Sequence, residues 1–161
     1  MTMQERASKD EQAPAQKRVR IVLADDHQVM RRGIQMLLNA EPDFVVVAEV
    51  GDIDSARRYV REHHPNVLLL DLNMPGGPAL EAIPKLRAEA PDTQIVVLTM
   101  HEEPALVRAA MRAGALGYVL KEASDTELVR SIRAAAAGEV YLNRHLAGQL
   151  ITDRVRTSSW D

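Results

Sequence analysis

The chain has 161 residues, enough for one domain with an appendage and a sizeable buried core. Aromatics are scarce at 3%, so Val, Ile, Leu, Ala and Met must fill that core. A net charge of −3 argues against a nucleic-acid or anionic-membrane surface, and the lack of cysteine excludes disulfides and thiolate metal sites.

Residues 1–17 are polar and charged, with no apolar stretch of the signal-peptide kind, and read as a disordered tail. No run approaches the ~18 apolar residues of a membrane span, so the expectation is a soluble cytoplasmic protein. Strand and helix patterns then alternate. The expected strands are Arg20–Ala24, Phe44–Val50, Val67–Leu70, Gln94–Leu98 and Gly117–Leu120. Several are unbroken apolar runs, as strands covered on both faces of a parallel sheet should be.

The first helix, "HQVMRRGIQMLLNA", places Met30, Ile34, Leu37 and Leu38 on one face. "DSARRYVREHH", "PALEAIPKLRAEA" and "EPALVRAAMRAGA" supply the next three. Pro84 falls inside the third of these four, which predicts a kink or a helix regular only near Pro84. In the fifth, "SDTELVRSIRAAAAG", Ser124 and Glu127 make a capping box, Leu128, Ile132, Ala135 and Ala136 an apolar stripe, and Gly138 a stop. Five alternations of this kind indicate a doubly wound α/β sheet.

The strand ends carry the chemistry. The first runs into Asp25–Asp26, the third into Asp71, the fourth into Thr99 and the fifth into Lys121. In an open parallel sheet the functional crevice lies outside the carboxyl ends of the strands. Three clustered carboxylates need a cation between them, and an oxygen-only site with room for water suits Mg²⁺. Asp71 is a potential nucleophile able to form an aspartyl phosphate, Thr99 a hydroxyl donor to a phosphoryl oxygen, and Lys121 a point charge for another. Taken singly, each residue has a plainer reading. Asp26 is as good a candidate for a helix N-cap, Asp71 could open the "LNMPGGP" turn, Thr99 could merely end a strand, and a lone Lys is usually solvated. Only the functional reading explains why all of them mark the same sheet edge.

The motifs "LADDH", "LLLDLNMPGG", "VVLTMHEE" and "GYVLKEAS", in this order between Arg18 and Gly138, resemble the receiver domain of two-component response regulators. The resemblance is to the NarL/FixJ-like subfamily, which carries a LuxR-type helix-turn-helix output domain. It implies a flavodoxin-like (CheY-like) fold with five parallel strands in the order 2-1-3-4-5 flanked by five helices. It also implies that Asp71 accepts phosphate from a phosphohistidine on a sensor histidine kinase. Mg²⁺ (or Mn²⁺) would be held by Asp26, Asp71 and the backbone carbonyl of Asn73, with Asp25 acting mainly through water. Thr99 and Tyr118 match the switch pair: a phosphoryl group draws Thr99 inward, and Tyr118 turns in after it. Tyr118 could also be an ordinary strand aromatic. Glu122 stands where many receivers have a cis proline, so that feature is expected to be absent here. The resemblance further implies homodimerisation on activation, and DNA binding only through the output domain.

Residues 18–138 are thus expected to form the receiver and 139–161 a connector, with Val140, Leu142, Leu146 and Leu150 along one side of a short helix. No basic patch or helix-turn-helix follows, and an ending in mid-linker suggests truncation before an output domain. His27 reads as a surface residue at a helix start, His63 and His64 as a helix end, and His101 as a neighbour of the crevice. Two other readings share parts of this pattern. A phosphohydrolase using Asp71 would want a general acid two residues on, where Asn73 cannot transfer a proton. A flavin site would have to welcome a phosphate at "DDHQ", which repels one.

Overall fold

The computed structural model describes residues 18–158, with side chains as far as residue 151. The tail expected over residues 1–17 lies outside the described residues. Five strands, β1 (Val19–Ala24), β2 (Phe44–Val50), β3 (Val67–Asp71), β4 (Gln94–Thr99) and β5 (Gly117–Leu120), form one parallel sheet in the order β2-β1-β3-β4-β5. They alternate with α1 (Gln28–Asn39), α2 (Ile53–His63), α3 (Ala79–Glu89), α4 (Pro104–Ala113) and α5 (Asp125–Ala136), and α6 (Arg144–Ser158) follows.

The unbroken apolar runs of the strands feed two cores by simple alternation. Val22 and Ala24 of β1 point into a cluster with Ala56 and Val60 of α2, Ile83 and Leu86 of α3, and Val107 and Ala110 of α4. Ile21 and Leu23 point the other way, toward Leu38 of α1 and Leu128, Ile132 and Ala135 of α5. The period-2 geometry of a strand therefore divides one hydrophobic run between the layers on either side of the sheet.

The helix ends follow their local chemistry. Ser124 caps α5 by accepting the amide of Glu127 at 3.2 Å. At its other end Gly138 takes φ +79°, the amide of Gly138 reaches Ala135 O and that of Glu139 reaches Ala134 O, the bond pattern of a Schellman motif. Asp52 caps α2 by accepting the amide of Ser55 at 2.7 Å.

Three expectations are revised. β3 and β4 each run one residue further than read, taking in Asp71 and Thr99, because both still pair with the neighbouring strand. α3 is already regular at Ala79, well before Pro84. Pro84 is exposed, so the carbonyl it leaves unbonded one turn earlier can be hydrated instead of being buried unpaired. Finally, Val140 does not join the connector's apolar side; it is 62% exposed. It and Leu142 precede the helix, which begins at Arg144 after Asn143 accepts the amide of Leu146 at 2.8 Å. Leu142, Leu146 and Leu150 do pack on the core, Leu146 being 1% exposed. Between α5 and α6, Tyr141 bridges to Gly117, so the connector runs beside the edge of β5 before α6 packs on α4.

Candidate phosphoryl and metal site

Parallel pairing brings the ends of β1, β3, β4 and β5 to one edge of the sheet. Asp71 is the last residue of β3 and sits opposite Leu98, one residue before Thr99 ends β4. The amide of Lys121 reaches the carbonyl of Thr99 at 2.8 Å, and the amide of Asp25 that of Val50 at 3.0 Å. Backbone bonds thus fix Asp25 and Lys121 just past the sheet, beside Asp71 and Thr99 at its edge.

Their side chains converge. Lys121 Nζ lies 3.0 Å from Asp71 Oδ2 and 3.4 Å from Asp25 Oδ2, with the lysine side chain only 5% exposed. Asp71 Oδ1 accepts the amide of Asn73 at 3.0 Å, a contact that turns the chain sharply after β3. Asp25 and Asp71 are both buried, whereas Asp26 is exposed and faces the mouth of the crevice. Asp26 is not the N-cap of α1; His27 holds that position, and no side chain caps the helix.

The electrostatics follow from burial. Desolvation pushes the Asp71 carboxyl above its ordinary pKa, against the amide of Asn73 and the ammonium of Lys121, and the charge of Asp25 adds to the rise. Burial also opposes the charge of Lys121, but the bond to Asp71 and the charges of Asp71 and Asp25 outweigh it and hold its pKa above the usual value. One ammonium therefore stands between two buried carboxylates, with a third carboxylate beside them.

A divalent cation fits this donor set. Asp25 Oδ2 is buried, with the Lys121 ammonium at 3.4 Å and no well-aligned hydrogen bond, so it has a lone pair free for a cation. Single ligand atoms of Asp25, Asp26, His27 and Asp71 all lie within 4.8 Å of one another. Oxygen atoms at such separations can share one hard cation. His27, read from sequence as a surface residue, is part of the cluster. Adjacency to the acidic pair was its only signal.

Thr99 and Tyr118 meet through His101. Thr99 is buried and its Oγ1 accepts the amide of His101 at 3.2 Å, while the Tyr118 hydroxyl donates to the His101 carbonyl at 2.6 Å. The His101 ring in turn lies 3.2 Å from Asn73 Nδ2 across the crevice. Burial raises the Tyr118 phenol to about 12, so it remains a neutral donor. Tyr118 is fully buried. The reason is local: a buried phenol needs an acceptor, and the His101 carbonyl provides one. The bond from Lys121 to Glu122 is trans, as no cis peptide occurs among the described residues.

Beside Lys121, between α1 and α5, runs an open groove of about 440 Å³ lined in part by Met30, Ile34, Leu37, Ala123 and Leu128. The apolar face expected on the first helix is therefore real, but only Leu38 is fully buried; the others wall this groove.

Comparison with known proteins identifies the fold and the family. The oxygen regulatory protein NreC of Staphylococcus epidermidis is 40% identical over 144 residues, covering 89% of this chain and 66% of that protein. The chain thus spans about two thirds of its relative's length. The crystal structure of a LuxR-family two-component response regulator from Aurantimonas sp. SI85-9A1 superposes with a TM-score of 0.81 at 36% identity, covering 86% of this chain and 99% of that one. The isolated receiver domain of RcsB from Salmonella enterica serovar Typhimurium, solved with the phosphomimetic BeF3⁻, gives a TM-score of 0.76 at 28% identity over 83% of this chain and 99% of that one. The response regulator receiver domain family matches residues 21–133, from β1 into α5, and by that match the chain belongs to the receiver domains of two-component response regulators.

Proposed function

We propose that Asp71 is the phosphoacceptor of this receiver, taking a phosphoryl group from a phosphohistidine of a sensor kinase in a reaction that needs Mg²⁺ or Mn²⁺. The observation that carries this is the pairing of a buried Asp71 with Lys121, beside a second buried carboxylate, Asp25, whose Oδ2 lies 3.4 Å from the same ammonium. A carboxylate oxygen of Asp71 attacks the phosphorus in line; the P–O bond forms as the P–N bond breaks, and the imidazole leaves with the electron pair. Lys121 neutralises charge on one phosphoryl oxygen. Thr99, whose oxygen accepts from His101, can still donate its hydrogen to another. A divalent ion held by Asp25, Asp26, Asp71 and the carbonyl of Asn73 would supply positive charge to the remaining oxygen.

The groove beside Lys121 supports docking of an apolar helix face carrying the phosphohistidine, since it opens next to the proposed phosphoryl position. Residues 18–138 act in this reading as the receiver and 139–161 as the connector to a DNA-binding output domain, in a cytoplasmic regulator that dimerises on activation. No helix among the described residues is long and apolar enough to cross a membrane. With Tyr118 already inward, the phosphoryl group shifts the population by holding Thr99 and His101 in place, not by first admitting the ring. The backbone offers a route outward, because the Tyr118 amide bonds the carbonyl of Tyr141 in the connector at 3.3 Å.

Fluorine NMR with beryllofluoride tests this reading. A bound signal should appear with Mg²⁺ and vanish in chelator or in Asp71→Asn. A signal that persists in chelator would contradict it.

A further inference from the structure

We propose that Arg31 is a positioning residue for the phosphoryl-transfer site: by holding the backbone carbonyl of Asp25 it fixes the Asp25–Asp26 peptide and so aims the Asp26 carboxylate into the crevice. The inference rests on the reading that the acidic pair holds a divalent ion, and it names the group that keeps the pair in place.

The contacts converge on one peptide. Arg31 Nη1 donates to the Asp25 carbonyl oxygen at 2.8 Å, and the amide of Asp25 donates to the Val50 carbonyl at 3.0 Å. Residue 25 is thus held on one side by the end of β2 and on the other by the first turn of α1. Arg31 is in turn oriented by Glu49 of β2, whose Oε1 lies 3.6 Å from its Nε. Gly51 leaves the space for this arrangement. A Cβ there would meet Arg31 Nη1 at 3.1 Å and stand 3.9 Å from both the Asp25 oxygen and Asp26 Cα. The side chains of Arg31 and Glu49 are only 22% and 26% exposed, and partial shielding from water strengthens such bonds.

Asp26 depends on that brace more than its neighbours do. Asp25 and Asp71 are buried and share the Lys121 ammonium. Asp26 is exposed, and the His27 ring 3.2 Å from its carboxylate is itself exposed. Its direction therefore follows from the backbone that carries it. A peptide free to rotate would let the two adjacent carboxylates swing apart, as like charges favour. A divalent ion would then have to reassemble its ligands on binding, which lowers affinity.

The sign of the effect separates position from charge. A guanidinium near a cation site repels the ion, so deleting its charge alone should tighten Mg²⁺ binding. Losing the brace should weaken it. Arg32, next in sequence but exposed, supplies a control with the same change of charge.

Phosphorylation by acetyl phosphate across a Mg²⁺ series, followed by intact mass, reads the effect. In Arg31→Gln the Mg²⁺ concentration at half-maximal rate should rise by about tenfold, with the rate at saturating Mg²⁺ nearly retained. Arg31→Lys keeps the charge but lacks the fork that spans Asp25 and Glu49. It should show the same split at smaller size, and it carries the test if the glutamine variant does not fold. Arg32→Gln should leave the half-maximal concentration unchanged or lowered. A half-maximal concentration that stays put or falls in the Arg31 variants, even with a lower melting temperature in chelator, would overturn the inference and leave Arg31 a purely structural residue. Wild-type labelling that does not depend on Mg²⁺ would instead defeat the underlying reading of the acidic pair.

Discussion

Lys121 and Asp71, 50 residues apart in sequence, face each other at 3.0 Å across the ends of β5 and β3. The same ammonium stands 3.4 Å from Asp25, so removing it strands two buried carboxylates. Taking one partner from a buried ion pair costs about 3–5 kcal/mol. Lys121→Met should therefore melt at lower temperature in chelator and regain much of the loss in Mg²⁺, because a cation then replaces the ammonium. Its phosphorylation should still be slowed by about 100-fold or more, since the charge on the phosphoryl oxygen is gone. Melting curves with and without Mg²⁺, beside labelling rates, check both parts.

The pH dependence of stability has a definite sign. Burial holds the Asp71 pKa above its unfolded value, so between the two values the folded chain binds more protons than the unfolded one. Without metal, this group's contribution to stability is largest below the window and falls as pH rises through it. Denaturation in chelator across the range just above the ordinary carboxylate pKa should show that decline in the wild type relative to Asp71→Asn. A difference between the two proteins that stays flat with pH would contradict the assignment.

Tyr118→Phe isolates the hydroxyl. It deletes the 2.6 Å bond to the His101 carbonyl and leaves the ring buried. The expected loss is about 1 kcal/mol in urea denaturation, with faster amide exchange in the loop around His101. A variant as stable as the wild type would mean that the carbonyl finds water easily and that the bond holds nothing in place.

The connector is anchored by Leu146, and Leu146→Ala should cost about 2–5 kcal/mol if α6 and the receiver unfold together. If α6 instead opens separately, global stability changes little while amide protection is lost across 144–151 and at Tyr118. Hydrogen exchange distinguishes these outcomes. Unchanged stability together with unchanged protection would show that the connector does not depend on this contact.

How much of this was legible in the sequence depends on the kind of signal. All five strands were readable because each is a short, mostly apolar run bounded by turn or helix signals. The last residues of β3 and β4 were not, since Asp71 and Thr99 are polar ends of apolar runs and only pairing with a neighbour keeps them in the ladder. The register slip between Ile21 and Val22 against β2 likewise leaves no mark in "FVVVAEV". The Ser124 cap and the Gly138 stop of α5 were legible from residue type, one through its hydroxyl and the other through its positive φ. At Pro84 the alternative of a helix regular only near the proline fails, because the proline rule alone does not tell an exposed position from a buried one. In the site, Asp25, Asp26, Asp71, Thr99 and Lys121 were found by their shared place at strand ends. His101 was read as a neighbour of the crevice, but its contacts with Asn73, Thr99 and Tyr118 depend on where its ring and backbone point, which sequence spacing does not report. Val140 was misplaced because helical spacing was extended back across a segment that runs beside a strand.

The central claim is that one carboxylate among 23 acidic residues takes the phosphoryl group. Incubation with acetyl phosphate and Mg²⁺, followed by intact-mass measurement and peptide mapping, tests it most directly. The account predicts a single added phosphoryl group on Asp71, absent in Asp71→Asn and in chelator. Labelling that survives the substitution, or that maps to another residue in the wild type, would contradict it.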